Sequence, residues 1–361
     1  MHDFHHLPIA EVKRETSEAI SVRLRIPETL KTIFQFKPGQ HLGVRALIDG
    51  EEQRRSYSIC SGPGEADLRV AIKRIADGRF SHWANATLAP GGTLEAMPPA
   101  GRFVLPASTG EARHLLAVAA GAGITPIIAM LKHAMANEPA TSFTLIYGNR
   151  SPETILFREE LENLKDRHLG RFTLLNVLSR NDESSAPLLE GRITGAKVKA
   201  LGGVLFKPDE IAHFYLCGPG SMIKETRNAL FELGVARERV HHEFFAPGGG
   251  AYRRPASPPV QAEPAATTGG TQAIAILDGI RHPFVVPPGG HVVDAALAAG
   301  IRVPYSCKGG MCCTCRAKLV EGEAQMTTNY SLEPWELARG FILTCQAVPR
   351  SERLVVDYDQ M

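Results

Sequence analysis

The sequence predicts a multidomain protein: an antiparallel β-barrel, then a doubly wound α/β domain, then a small domain behind a linker. Three observations predict it. Residues up to about 108 hold short β-rich runs cut by turn dipeptides, and from His114 onward apolar strands alternate with helical segments. Residues 246–272 are rich in Pro, Gly and Ala without apolar periodicity, and a segment with clustered cysteines follows them. We therefore expect domains at 1–108, 109–245 and 273–361, with 246–272 as linker; the 361-residue length suits two or three cores.

The barrel rests on runs such as 21–26 and 68–72, where β-branched residues recur, and on turn signals at Pro38-Gly39, Asp49-Gly50 and Gly91-Gly92. In the next domain, strands are expected at 115–120, 143–147, 172–178 and 213–216, with helices at 127–136, 157–166 and 222–233. After the linker, 273–277 and 284–286 read as a hairpin, and 292–299 as a short helix stopped by Gly300. As a flexible coil the linker would span about 30 Å.

Composition excludes several classes. Apolar residues at 44%, charged residues at 22% and a net charge of +2, with no basic cluster, argue for a globular protein without a nucleic-acid partner. The apolar stretch 115–131 is broken by Gly121, Gly123 and Pro126, so it reads as strand, turn and helix and not as a membrane span. Residues 1–10 hold three histidines and no apolar core of a secretory signal. A cytoplasmic protein with no membrane partner is expected.

The cysteines carry the most specific signal. Cys307, Cys312 and Cys315 follow a C-x4-C-x2-C pattern, and Cys345 comes later, with 29 residues between it and Cys315. That is the spacing of plant-type [2Fe-2S] ligands. Three thiolates from one loop require the backbone to wrap closely, which Gly309 and Gly310 permit. Four thiolates also suit structural zinc, although zinc usually takes paired Cys-x2-Cys hairpins. Cys313 falls off the ligand register, and Cys60 reads as a small buried thiol.

Upstream, Arg55-Ser56-Tyr57-Ser58 closes an apparent strand, and Gly78-Arg79-Phe80-Ser81 offers a glycine turn and a hydroxyl near a helix start. Gly121-Ala122-Gly123-Ile124-Thr125-Pro126 follows a strand with two glycines of a dinucleotide fingerprint, but proline replaces the third. Thr125 would cap the helix and Pro126 open it. Cys217-Gly218-Pro219 ends another strand at the carboxyl edge of the expected sheet, where α/β ligands bind. Ser179-Arg180 ends a third, and an Arg there suits a phosphate dianion.

Taken in order, R-x-Y-S, G-x-x-S, G-x-G-x-x-P and C-G-P resemble the ferredoxin-NADP reductase superfamily. The resemblance implies that Tyr57 lies against the flavin ring of FAD, Ser58 hydrogen-bonds near its N5, and Arg55 with Ser81 neutralises its phosphates. It implies that Gly121, Gly123 and Thr125 hold NADPH, that Ser179 and Arg180 read its 2′-phosphate, and that Cys217, Gly218 and Pro219 abut the nicotinamide. Ser58 and Cys217 would then be the residues nearest the chemistry. In plant members an aromatic residue ends the chain over the flavin; here Phe244 or Phe245 would take that place.

The whole chain is similar to the reductase components of phenylacetyl-CoA epoxidases, multicomponent di-iron monooxygenases. The similar stretches include 4–12, 303–316, 329–335, 340–346 and 355–360. This implies a β-grasp ferredoxin domain at the end of the chain and oxygenase subunits as partners. A hydride carries two electrons and a [2Fe-2S] cluster takes one, so a flavin must stand between them. Related reductases serving a ring-hydroxylating oxygenase or a hybrid-cluster protein are the alternative enzymes; a redox-sensing module without turnover is the alternative class. Glu-x-x-His spacings at Glu111–His114 and Glu238–His241 lead into expected strands, so oxygenation is expected on another chain.

Overall fold

The structure is a computed structural model that describes residues 3–62, 64–180, 186–245 and 269–360. The expected linker falls largely outside the described residues. Two compact units are present, the first holding the barrel and α/β portions and the second the C-terminal portion.

Strands β1 (His5–Thr16), β2 (Ala19–Leu24), β3 (His41–Ile48), β4 (Glu51–Ser58), β5 (Leu68–Lys73) and β6 (Thr93–Ala96) form one sheet in the order β4-β3-β6-β1-β2-β5. The sheet closes on itself: Ile59 bridges Val70, and Cys60 N donates to Arg69 O at 2.8 Å. Closure satisfies the edge that β4 and β5 would otherwise expose. Asp49 and Gly50 both take positive φ between β3 and β4, as a two-residue primed hairpin turn requires. Leu7, Val22, Leu42, Val44, Val70 and Ile72 fill the barrel, and Phe80 of α1 (Arg79–Thr87) packs with them.

The α/β portion runs β7 (His114–Ala120), α2 (Ile124–Asn137), β8 (Ser142–Asn149), α3 (Arg158–Arg167), β9 (Phe172–Leu178), α4 (Gly195–Gly202), β10 (Ile211–Gly218), α5 (Gly220–Glu232) and β11 (Val240–Phe244). The five strands are parallel in the order β11-β10-β7-β8-β9. The chain therefore leaves β7 toward β8 on one side and returns to β10 on the other. That reversal makes a switch point, and the crevice at its carboxyl edge is the preferred ligand site of such sheets. The first unit is knit together by a shared core in which Cys60, Phe103 and Leu105 of the barrel portion pack with Ala119, Ile127, Tyr215 and Cys217.

Helix α2 starts two residues earlier than the capping signals suggest. Gly123 is its N-cap without a side-chain hydrogen bond, and Thr125 instead donates to Ala122 O at 3.0 Å. A 3-10 turn at Gly121–Gly123 feeds directly into the helix, so Thr125 and Pro126 sit inside its first turn.

The second unit holds β12 (Thr271–Leu277), β13 (Ile280–Val286), α6 (Val292–Ala298), β14 (Arg316–Glu321), β15 (Ala324–Met326), α7 (Pro334–Ala338), β16 (Phe341–Leu343), β17 (Ala347–Pro349) and β18 (Arg353–Asp357). The main sheet is ordered β13-β12-β18-β14-β16, with β12 and β18 parallel and α6 packed against it. This is the β-grasp arrangement. Glu336 is fully buried and receives a hydrogen bond from Arg316 Nε at 2.9 Å, while that guanidinium lies 3.5 Å over the Phe341 ring.

Candidate functional site

The loop from Cys307 to Cys315 joins α6 to β14, and Cys345 follows β16. The four thiols act on one another: Cys312 is the largest influence on Cys307, and Cys345 on Cys315, with weaker effects between the two pairs. Four thiolates brought together on one loop and the segment after β16 are the donor set that a [2Fe-2S] cluster requires. Among the described residues no three His, Cys, Asp or Glu side chains converge on a single point. The residues thus fit a [2Fe-2S] cluster.

The four thiols split: Cys312 and Cys315 are pushed well above the usual thiol range, first by the Cys307 and Cys345 thiols and then by burial, while Cys307 and Cys345 are lowered. The Cys312 thiol, then the backbone N–H groups of Gly309 and Met311, hold the Cys307 thiol down at about 7 against its burial. Cys345 is likewise lowered, first by the Cys315 thiol and further by Gln346 and the Gly310 N–H. Gly310 has φ +75, and a Cβ there would lie 3.0 Å from Thr328 O, so the loop needs glycine at that point. Gln346 escaped sequence reasoning. Its Nε2 donates to Lys308 O at 2.8 Å and to Cys345 O at 3.1 Å, and its Oε1 accepts from Thr327 Oγ1 at 2.7 Å. A single amide thus ties both cysteine-bearing segments. Cys313 donates to Ser331 Oγ at 3.0 Å and packs on the domain core.

Arg55, Tyr57 and Ser58 lie on β4, with Ser58 buried and the Tyr57 ring 5.8 Å from that of Phe80. Phe80 belongs to the first turn of α1, so the two short motifs meet through these rings. Gly78 is the N-cap of α1, without a side-chain cap. A Cβ on Gly78 would meet Ile75 Cγ1 at 2.4 Å and Ser81 Oγ at 2.5 Å. Ser81 is buried; its hydroxyl donates to Gly78 O at 2.9 Å and accepts from Ile75 N at 3.3 Å. That hydroxyl shapes the turn and leaves the helix N-terminus open to an anion.

At the switch point, Gly121 has φ +53 and its carbonyl accepts from Tyr147 Oη at 2.9 Å. Gly123 presses on the end of β10: a Cβ there would lie 2.2 Å from Cys217 O and 2.9 Å from Gly218 N. The G-x-G turn and the C-G-P segment therefore form one surface, and Gly218, at φ +151, turns the chain into α5 behind Pro219. The Cys217 thiol is fully buried, and burial, with the nearby Glu243 carboxylate second, pushes it well above the usual thiol range. A thiol so raised stays protonated and is no nucleophile at neutral pH.

Strand β11 supplies Glu243, which the sequence reading missed. Glu243 stands opposite Cys217 in parallel register, and Phe244 opposite Gly218. Phe245 packs on the core shared with Cys217 and the barrel, whereas Phe244 packs on the opposite face of the sheet. Of the two aromatic candidates, Phe245 is thus on the barrel side. On β3, His41 is buried and held down at about 4 by desolvation. Ser179 and Arg180 lie apart from Cys217, beyond β9; their N–H groups donate to Asn149 O at 2.9 Å and Arg150 O at 2.8 Å. The two Glu-x-x-His spacings make no metal site: His114 Nε2 bonds Thr144 Oγ1 at 2.8 Å, and His241 Nε2 bonds His213 Nδ1 at 3.0 Å.

Comparison with known proteins accords with this geometry. Family models match as an oxidoreductase FAD-binding domain over residues 6–105, an oxidoreductase NAD-binding domain over 117–228 and a 2Fe-2S iron-sulfur cluster binding domain over 275–350. The chain is 39% identical to one of the subunits of 1,2-phenylacetyl-CoA epoxidase from Escherichia coli, covering 99% of each. It is 33% identical to the ferredoxin reductase component of 3-ketosteroid-9-alpha-monooxygenase from Rhodococcus rhodochrous, covering 98% of this chain and 96% of that one. Among solved structures, phthalate dioxygenase reductase, a modular structure for electron transfer from pyridine nucleotides to [2Fe-2S], aligns with a TM-score of 0.60 and 25% identity over 98% of each chain. The chain belongs to the family of flavin- and nicotinamide-dependent oxidoreductases that end in a [2Fe-2S] ferredoxin domain, with the Escherichia coli epoxidase component among its relatives.

Proposed function

We propose that this chain takes hydride from NADPH and passes electrons, through FAD and its [2Fe-2S] cluster, to the oxygenase subunits of a phenylacetyl-CoA epoxidase. The observation that carries the reading is the union on one chain of a dinucleotide crevice at a switch point with four thiols suited to a [2Fe-2S] cluster. The choice of acceptor rests on the likeness to the Escherichia coli epoxidase component. Bound flavin and cluster together supply the conversion of a two-electron hydride into single electrons.

The protein's part is position and electrostatics. Tyr57 and Ser58 present the flavin ring, while Arg55 and the turn shaped by Gly78 and Ser81, with the first amides of α1, receive its phosphates. Gly121, Gly123 and Thr125 form the floor for the dinucleotide. Cys217, Gly218 and Pro219 hold the nicotinamide, with Cys217 as a neutral orienting thiol and Glu243 beside it. Ser179 and Arg180 receive the 2′-phosphate. Cys307, Cys312, Cys315 and Cys345 ligate the cluster.

We read the domains as 1–108, 109–245 and 273–361 joined by a linker at 246–272, because each matched family span falls inside one of them. Among the described residues no helix is long and apolar enough to cross a membrane. A cytoplasmic site of action fits a donor and an oxygenase substrate that are both intracellular metabolites. The test is epoxide formation from phenylacetyl-CoA by purified oxygenase subunits supplied with NADPH and this chain. Turnover that depends on the chain supports the reading; rapid cytochrome c reduction without any epoxidation would assign the same reductase to a different acceptor.

A further inference from the structure

Arg150 is the first residue beyond β8, at the carboxyl edge of the sheet and one strand from the G-x-G turn of β7. The two hydrogen bonds from Ser179 N and Arg180 N to the carbonyls of Asn149 and Arg150 extend the ladder past the strand ends. They place Arg150 beside the Ser179-Arg180 pair. Its guanidinium donates to Glu18, in the tight turn between β1 and β2 of the barrel. Lys73 Nζ lies 3.6 Å from the same carboxylate oxygen, and 3.8 Å from where a Cβ on Gly121 would stand. One carboxylate therefore balances two cations at the rim of the crevice, with a third at Arg180.

The Arg150–Glu18 pair is poorly shielded: the side chains keep 40% and 36% of their exposure. Pairs so wet contribute little to stability. A guanidinium meeting a phosphate makes two shorter, charge-assisted bonds and is the better match for it. The dinucleotide brings two phosphates in its pyrophosphate and, in NADPH, a third on the adenosine ribose.

We propose that Arg150 is a phosphate-binding, specificity-determining residue of the dinucleotide site, and that Glu18 holds it in place until the ligand displaces the carboxylate. The inference rests on the dinucleotide reading given above. It differs from the Ser179-Arg180 assignment in drawing one element of the site from the barrel, so that ligand binding and the seam between barrel and α/β domain are linked.

The experiment is calorimetric titration of the flavin- and cluster-loaded protein with NADP+, NAD+ and adenosine 2′,5′-bisphosphate, in wild type and in Arg150→Ala, Arg150→Lys and Glu18→Gln. Arg150→Ala should weaken NADP+ by about 10- to 100-fold, with Arg150→Lys recovering part of it. Glu18→Gln, which removes the competing carboxylate and keeps the shape, should bind NADP+ at least as tightly as wild type. Weakening of NADP+ and the bisphosphate alone assigns the contact to the 2′-phosphate; equal weakening of NAD+ assigns it to the pyrophosphate. The proposal is overturned if Arg150→Ala binds all three as wild type does, or if Glu18→Gln loses as much affinity as Arg150→Ala, which would make the pair purely structural. Wild-type protein that binds no dinucleotide would instead sink the underlying reading.

Discussion

Gly123→Ala is the sharpest probe of the crevice. The added Cβ would stand 2.2 Å from Cys217 O, 2.5 Å from its carbonyl carbon and 2.9 Å from Gly218 N, where ordinary contact begins at 3.4 Å. All three are backbone atoms on β10, which is paired on both sides and cannot give way. The G-x-G turn must therefore retreat by roughly 1 Å, at a packing cost of about 1–3 kcal/mol. A displacement of that size at a site of hydride transfer lowers the rate about 10²-fold. The assay is anaerobic stopped-flow reduction of the bound flavin by NADPH, with Gly170→Ala as control, since a Cβ there meets nothing within 4 Å. The flavin and cluster spectra of the oxidised variant should match wild type, because barrel and ferredoxin core are untouched. A Gly123→Ala enzyme that reduces its flavin at the wild-type rate would refute the claim that Gly123 and Cys217 form one surface for the nicotinamide.

Three further outcomes are expected. Cys217→Ala should bind NADP+ normally yet reduce flavin more slowly, because a neutral buried thiol orients the ring without attacking it; unchanged stopped-flow rates would remove it from the site. Glu336→Ala leaves the Arg316 charge buried without its partner and should destabilise the ferredoxin domain by about 3–5 kcal/mol. Thermal bleaching of the cluster should then come well below that of wild type while flavin reduction by NADPH persists, and an unshifted transition would count against the buried pair. His41, His241 and His242 are each lowered to about 4 by desolvation. The native state thus binds fewer protons than the unfolded chain, so their contribution is complete above about pH 6.5 and is lost as pH falls toward 4. For fully buried His41 the loss approaches about 3 kcal/mol, so His41→Leu should flatten the fall in melting temperature across that window, and an unaltered slope would speak against it.

The strongly patterned parts are legible in the sequence. β9 is expected at residues 172–178 and the hairpin of β12 and β13 at 273–286, because apolar alternation and turn residues agree there. The C-x4-C-x2-C pattern is legible from spacing because three of the four proposed ligands lie on one loop. What escapes depends on long-range partners or weak local signals. Helix α1, Arg-Phe-Ser-His-Trp-Ala-Asn-Ala-Thr, is short and lacks a capping side chain, so only its packing on the barrel marks it. Helix α4 is bracketed by glycines at 195 and 202, which mask the Thr194 cap that starts it. Thr125 reads as a cap from its type alone, yet the preceding 3-10 turn takes over that role. Gln346, Glu243 and Arg150 join the site through partners distant in the chain, such as Lys308 for Gln346 and Glu18 for Arg150. No local pattern encodes such meetings.

The central claim is that one chain carries electrons from nicotinamide through flavin to its own cluster. Mixing the anaerobic, fully loaded protein with one equivalent of NADPH, and following flavin absorbance and the electron-spin signal of the cluster together, tests it most directly. The account predicts flavin bleaching first, then one electron per chain appearing on the cluster, with the second step abolished in Cys345→Ser. A flavin that becomes fully reduced while an intact cluster in the same chains stays oxidised would contradict it.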